Sequence, residues 1–580
     1  MMSARRFSSI ATEFAIVVIA IVMPITARAQ QQTLAPSQVA PPVIPAAPTA
    51  PTRILLPRVE AGATIPPGAK QLSFVLTGFR IEGEFEELAA ERHGLEAQLI
   101  GKKISVAQVF EFATALQALY VRAGYPLVRV VVTPQELGEK AVVAIRVIDG
   151  FIERIDAGAL PEQAQKPVLA VVSSLINQRH LTQKALERKL LLAGATPGVI
   201  LNAVFSGGKE IGGSVLVLTG SYRAVSLSLY GDDAMPRAFG TGQFVATGSL
   251  NSIFGLGEQF TVSAAGLPDA NFITNDPTRR YLSAIGMIPL GTDGWRLEAG
   301  YTNGVTTPRV DPSVSTRGQL TQEYVRLSYD AIKLRDAELN FSLRFDSTDQ
   351  SLDSLAFDPA VPLSLDRLRV LRGSAEGLWQ WRESGTSGTY GMTVSQGLNV
   401  LGARTAADAS VLLPLSRAGA DAVFTKLQGH ASLTQSLPEE LFTTLAFAGQ
   451  TSFGRPLLIP EQFDITGAQM LSGYTTGSFV GDSAWVVRDE IGRSFGLPNI
   501  PVVVTPYLFG ATGERLLAQP SVLEVASLHA TNYGLGFRVN ETRNGIVPVD
   551  VSWFAEGSRQ QSGDPTQQGW RVFVGGLVRY

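Results

Sequence analysis

Along the second half of the chain, apolar and polar residues alternate one by one. From Leu339 to Asp346, Leu339, Phe341, Leu343 and Phe345 take turns with Asn340, Ser342, Arg344 and Asp346. Successive side chains of a strand point to opposite faces, so this segment has one apolar face and one wet, charged face. Trp295–Thr302 repeats the pattern, with Trp295, Leu297, Ala299 and Tyr301 set against Arg296, Glu298, Gly300 and Thr302. In Tyr324–Asp330, Val325, Leu327 and Tyr329 alternate with Arg326 and Ser328, and at the C-terminus Trp570, Val572, Val574, Val578 and Tyr580 share a face. One such strand would suit a soluble sandwich equally well. Many of them, with charge on the wet face and no helical run between, predict a membrane β-barrel over 221–580.

The first half has a different grammar. Residues 1–29 fit a secretory signal peptide: Arg5 and Arg6, an apolar core Phe14–Met23, and Ala27-Arg28-Ala29 before Gln30. The alternative is a membrane anchor, but the apolar run falls short of the ~20 residues a spanning helix needs. Residues 30–70 are rich in proline and alanine (Ala40-Pro41-Pro42, Pro45-Ala46-Ala47-Pro48, Pro66-Pro67) and predict an extended, mobile linker. Residues 71–149 predict a small α+β domain. It has a strand Phe74–Ile81, a short helix Glu86–Ala97, a longer helix Val106–Ala123 capped by Ser105 and ended by Gly124, and strands Val128–Thr133 and Val142–Ile148. Residues 150–220 repeat that order: strand Phe151–Ile155, helix Pro167–Gln178, helix Thr182–Leu192, and strands Ile200–Ser206 and Val215–Thr219.

Composition removes several classes. Charged residues make up 17% and the net charge is −3, so no basic excess suggests nucleic acid. Cysteine is absent, which excludes thiolate metal sites, catalytic thiols and disulfides. The four histidines, His93, His180, His430 and His529, stand far apart, with none at ligand spacing from another. Neither an enzyme nor a metal or cofactor site is expected. Gly240-Thr241-Gly242 and Gly255-Leu256-Gly257 precede β-like runs and suit hairpin turns rather than phosphate loops. Asp269, Asn271, Asn275 and Asp276 lack calcium-motif spacing and suit a solvated hairpin end. Glu323, Arg326, Arg344 and Asp346 are expected to line the lumen, where charge is tolerated.

Tyr120-Val121-Arg122-Ala123-Gly124-Tyr125, Arg129, Pro134-Gln135 and Gly150 form a composite run, and Leu186–Leu192 followed by Pro197-Gly198 forms a second. On these the chain resembles the two-partner secretion transporters (TpsB-type, haemolysin or haemagglutinin secretion-activation), from about residue 71 to its end. The resemblance implies two periplasmic POTRA (polypeptide-transport-associated) domains, 71–149 and 150–220, before an outer-membrane barrel of about sixteen strands. Their POTRA motif residues would be Gly124, Tyr125, Pro134, Gln135, Gly150, Pro197 and Gly198. The implied partners are a large β-helical exoprotein, the outer-membrane barrel assembly machinery of a Gram-negative cell, and the lipid bilayer. Val578 and Tyr580 would carry the barrel-insertion signal, as in outer-membrane barrels that close on an aromatic residue.

Export would start with an unfolded exoprotein adding a strand to a POTRA sheet edge, which makes Arg129, Val131, Thr133, Gln135, Leu201 and Ala203 the candidate exoprotein-binding residues. The family's long lumenal loop has an arginine at its tip, and here Ser472-Gly473-Tyr474 takes that place. The aspartate that usually answers it, in a Phe-x-Asp-x-Gly strand, aligns with Ala511. Losing both charges strands neither, and the loop is then expected to rely on other contacts such as Tyr474. Two alternatives remain open: an outer-membrane protein assembly factor, and a porin-like channel with periplasmic appendages.

Overall fold

A computed structural model describes residues 34–42, 52–55, 65–309, 315–522, 524–543, 549–564 and 567–580. The expected signal peptide lies outside them. Within the Pro/Ala-rich stretch, one 3-10 turn, Pro36–Val39, and one short strand, β1 (Arg53–Leu55), have defined places.

The first module contains β2 (Ser73–Glu82), α1 (Ala89–Glu96), β3 (Lys103–Ser105), α2 (Val106–Arg122), β4 (Arg129–Val132) and β5 (Lys140–Ile148). Its sheet runs β3-β2-β5-β4, with β2 parallel to β5 and β4 antiparallel to it. Helix α2 starts where the sequence says it should. Ser105 Oγ accepts from Gln108 N at 3.3 Å while Gln108 Oε1 accepts from Ser105 N at 2.8 Å, a capping box worth about 1 kcal/mol. Val109, Phe112, Ala113, Leu116 and Tyr120 recur at helical spacing and are buried against the sheet.

The second module repeats this with β6 (Phe151–Ala159), α3 (Glu162–Val172), α4 (Gln183–Gly194), β7 (Val199–Gly207) and β8 (Gly213–Tyr222). Again the first strand is parallel to the third, and the second antiparallel to it. Thr182 caps α4, its Oγ1 accepting from Ala185 N at 3.2 Å. Helix α3 corrects the sequence expectation. It begins five residues before Pro167, after Pro161, and keeps Pro167 inside, because Ala164, Pro167, Val168 and Val172 form one buried face. Tertiary packing there outweighs the preference of proline for a first turn.

From Val225–Asp232 to Gly569–Arg579 the chain forms a closed barrel of sixteen antiparallel strands. Its seam is short: five residue pairs, from Gly575 against Asp232 to Arg579 against Ser228. Tyr580 extends it, donating its N–H to Leu227 O at 2.8 Å and accepting from Leu227 N at 3.0 Å. The alternation predicts which side is out. Val325, Phe341, Leu343, Trp570 and Val572 are exposed on the outer face, while Asp346 is buried inside. Glu323 is the exception: it lies two residues from Val325 and opposite Tyr301, so it faces outward and does not line the lumen. No helix among the described residues is long and apolar enough to cross a membrane.

Candidate functional site

Two sheet edges in the N-terminal half hold the residues singled out for exoprotein binding, and the chain finishes those edges differently. In the first module β4 is an edge strand, paired on its outer side with no other strand among the described residues. Part of that edge is capped by a side chain, Gln117 Oε1 of α2 accepting from Val130 N at 3.1 Å. Arg129 and Thr133 are half-buried, and Val131 is 37% exposed. Gln135 turns back on the sheet: its Oε1 accepts from Ala144 N at 2.8 Å and its Nε2 donates to Ala144 O at 3.0 Å. Its amide thereby continues the pairing with β5 just beyond the end of β4. In the second module Leu201 and Ala203 are fully buried in the core. The outer side of their strand, β7, pairs in parallel with β1, Arg53 opposite Asn202 and Leu55 opposite Val204. Ile54 is buried against the core, and Arg335 Nη2, from a barrel turn, donates to Ile54 O at 2.7 Å.

The motif residues sit where parts of the molecule meet. Gly124 takes φ +96°, which ends α2, and its carbonyl accepts from Gln183 N of the second module at 2.8 Å. Tyr125 donates to Glu87 Oε1 at 2.9 Å, and that bond raises the Tyr125 hydroxyl pKa above its ordinary value. The same joint holds His180, stacked on Phe85 at 4.1 Å with Nδ1 2.9 Å from Asp149 Oδ2. A Cβ on Gly150 would overlap the Leu127 carbonyl, so the chain can pass between modules there only as glycine. Pro134 lies two residues beyond the end of β4, and Pro197-Gly198 make the turn into β7, where Gly198 O accepts from Arg223 N at 2.8 Å. Helix α4 then docks on the barrel turns. Arg188 Nη2 donates to Asp293 O at 2.8 Å, and Lys189 Nζ lies 2.6 Å from Asp293 Oδ1. Both residues lie in the Leu186–Leu192 run, but this docking contact was not legible there, since a partner in a turn a hundred residues away leaves no local signature.

The barrel interior is filled from two directions. The turn Pro36–Val39 lies inside the wall, with Val39 O accepting from Arg279 Nη1 at 3.0 Å and Ser37 N donating to Gln350 Oε1 at 2.9 Å. Val39 packs on Met235 and Phe239. The second occupant is the long segment between strands Leu441–Thr451 and Ser483–Arg493. Its stem is held by charge: Glu461 Oε1 lies 2.6 Å from Arg372 Nη2, its Oε2 lies 2.8 Å from Lys426 Nζ, and Asp482 pairs with Arg417. Its tip is Ser472-Gly473-Tyr474. Tyr474 donates to Thr531 O at 3.0 Å and Gln561 O at 2.8 Å. The wall supplies the tip with a guanidinium that the sequence did not reveal. Arg488, on the wall opposite Ala511, donates Nη1 to Ser472 Oγ at 2.9 Å.

A family model described as "Haemolysin secretion/activation protein ShlB/FhaC/HecB" matches residues 212–519, more than half of the chain. The chain belongs to this family. A second model, the ShlB-type POTRA domain, matches residues 74–150. Among solved structures, CdiB from Escherichia coli aligns with a TM-score of 0.65 at 19% identity, covering 92% of this chain and 94% of that one. CdiB from Acinetobacter baumannii aligns with a TM-score of 0.55 at 14% identity, covering 97% and 98%. At such identities these two show the shared fold. A search of curated proteins finds no match. The transporter is therefore a non-enzymatic outer-membrane barrel of two-partner secretion, with its POTRA domain on the N-terminal side.

Proposed function

We propose that this transporter takes up an unfolded exoprotein in the periplasm through its POTRA modules and passes it outward through the barrel. Residues 71–149 and 150–220 serve as the two receiving modules, after export of the chain by the 1–29 leader of a Gram-negative cell. One observation carries the reading: a barrel with charged residues on its inner face is docked to a module pair that, among the described residues, has an open sheet edge at β4. An extended segment can gain backbone hydrogen bonds there while Val131 offers it an apolar contact. Arg129 and Thr133 flank that contact, whereas Gln135 closes the end of the edge. Leu201 and Ala203 support the β7 edge from beneath. Export needs no bound energy source, since folding outside prevents return. Val578 and Tyr580 present the outward face that the assembly machinery reads during insertion. Deleting residues 71–220 tests the reading: secretion of the cognate exoprotein is lost while the barrel stays heat-modifiable, and undiminished secretion overturns it. A fall in many outer-membrane proteins on depletion would favour the assembly-factor alternative.

A further inference from the structure

The first barrel hairpin on the side of the modules joins strands Gln243–Asn251 and Gln259–Gly266 through residues 252–258. The next three turns on that side each carry charge: Gly291-Thr292-Asp293-Gly294, Leu334-Arg335-Asp336 and Arg382-Glu383-Ser384-Gly385. This one has an apolar tip, Ile253-Phe254-Gly255-Leu256, and its three large side chains are all exposed, Phe254 by 66%. Its base holds the tip in that position. Glu258, only 3% exposed, accepts from Phe254 N at 2.7 Å with Oε1 and from Leu256 N at 3.0 Å with Oε2. Fully buried Ser252 accepts from Gly257 N at 3.1 Å with Oγ and donates its own N–H to Glu258 O at 2.6 Å. Large apolar side chains kept outside by a buried polar scaffold mark an interaction surface.

Two observations say what meets that surface. The tip continues the lipid-facing wall: the Phe254 ring stands edge-on to Phe260 at 6.3 Å, and Phe260 lies opposite Leu250, both exposed on the outer face. Below the tip is a cation. Lys166 of α3 lines, with Leu256, Pro167, Pro289 and Trp295, a cleft of about 190 Å³ between the second module and the barrel. Lys166 is exposed and pairs with no carboxylate among the described residues. A Cβ on Gly257 would stand 3.1 Å from Pro289 Cγ and 3.8 Å from Pro167 Cβ, so the turn is wedged between strand and helix. An apolar patch in the membrane with a free ammonium group just beneath it fits an acyl chain and a phosphate. We propose that turn 252–258 and Lys166 bind an anionic glycerophospholipid of the periplasmic leaflet, its acyl chains on Phe254, Phe260 and Leu250 and its phosphate on Lys166 Nζ. Ser252 and Glu258 are positioning residues. The lipid ties the second module to the barrel at their joint, where Asn251 Nδ2 donates to Arg223 O at 3.1 Å and Tyr222 OH donates to Asn251 O.

The full-length transporter contains no native cysteine, so single spin labels report depth directly. In vesicles containing phosphatidylglycerol, a label on Phe254→Cys should collide with oxygen in preference to a water-soluble nickel chelate, and a label on Ser384→Cys in the polar turn should do the reverse. A water-like signal at position 254 overturns the insertion. Native mass spectrometry of the detergent-released transporter reads the head-group contact. The wild type should retain phosphatidylglycerol over phosphatidylcholine, Lys166→Gln should weaken that retention about fivefold, as one basic side chain at a membrane surface is worth, and Lys166→Arg should keep it. Ile253→Ser with Phe254→Ser should weaken it with Lys166 intact, since both chemistries act on one molecule. Undiminished retention in Lys166→Gln, or displacement of the lipid by glycerol phosphate alone, overturns the proposal. Heat-modifiability shows that each variant keeps its barrel. No exoprotein is present in any of these measurements, so they stand apart from the export reading.

Discussion

The two N-terminal modules share a strand-helix-helix-strand-strand order and the same parallel and antiparallel pairings, yet they differ at one position. The strand before the last is an open edge in the first module, β4, and a covered one in the second, β7. A fourth strand is present in both sheets but on opposite sides: β3 lies beside β2, whereas β1 lies beside β7. Identical topology therefore does not give identical availability. An edge is a template for pairing unless something covers it, and here one edge is trimmed by a glutamine while the other is occupied by the chain itself.

The comparison can be broken most forcefully in the core beneath β7. Leu201→Ala should cost about 2–5 kcal/mol of module stability, because the side chain is fully buried. Val131→Ala, at the open edge, should stay within about 0.5 kcal/mol while lowering secretion. Pulse proteolysis of the detergent-solubilised transporter measures the first, and surface release of exoprotein the second. Ile54→Ala should weaken the covering strand by about 2–3 kcal/mol and speed hydrogen exchange at β7 amides, with β4 unchanged. Gln117→Leu should cost about 1–2 kcal/mol by leaving the Val130 N–H without its partner, read as faster exchange at that amide.

The smallest effect belongs to the seat of the second module on the barrel. The hydrogen bond from Lys189 holds the exposed Asp293 carboxyl below its ordinary value of 3.8. A carboxylate depressed in the folded state contributes above its unfolded pKa and loses that contribution as pH falls through the folded value. Acidification through and below pH 3.8 should therefore loosen α4 from the turn slightly, followed by spin-label distances between them. Asp293→Asn should remove the pH dependence.

Much of this architecture was legible in the sequence because it is local. Alternation at Leu339–Asp346 and Trp570–Tyr580 fixed both the strands and their outward faces, and the Ser105–Gln108 box fixed the start of α2. Glu323 was misplaced because its charge was weighed ahead of its position in the alternation. The start of α3 was misplaced because Pro167 suits a first turn, whereas the buried face extends back to Ala164. The remaining misses are non-local. Nothing around Arg53 or Pro36 announces a partner at Asn202 or Gln350, and composition alone makes a proline-rich stretch look like a spacer. Arg488 escaped notice for a related reason: a wall residue can supply a guanidinium to a loop tip that carries none, and only the fold brings the two together.

The turn at Val39 and the strand at Arg53 are fastenings on one piece of string. Residues 40–52 join them, and at about 3.3–3.6 Å per residue that string cannot stretch beyond roughly 50 Å. One knot is tied inside the cylinder and the other beneath it, so the inner knot cannot be pushed far out into the extracellular medium while the lower one holds.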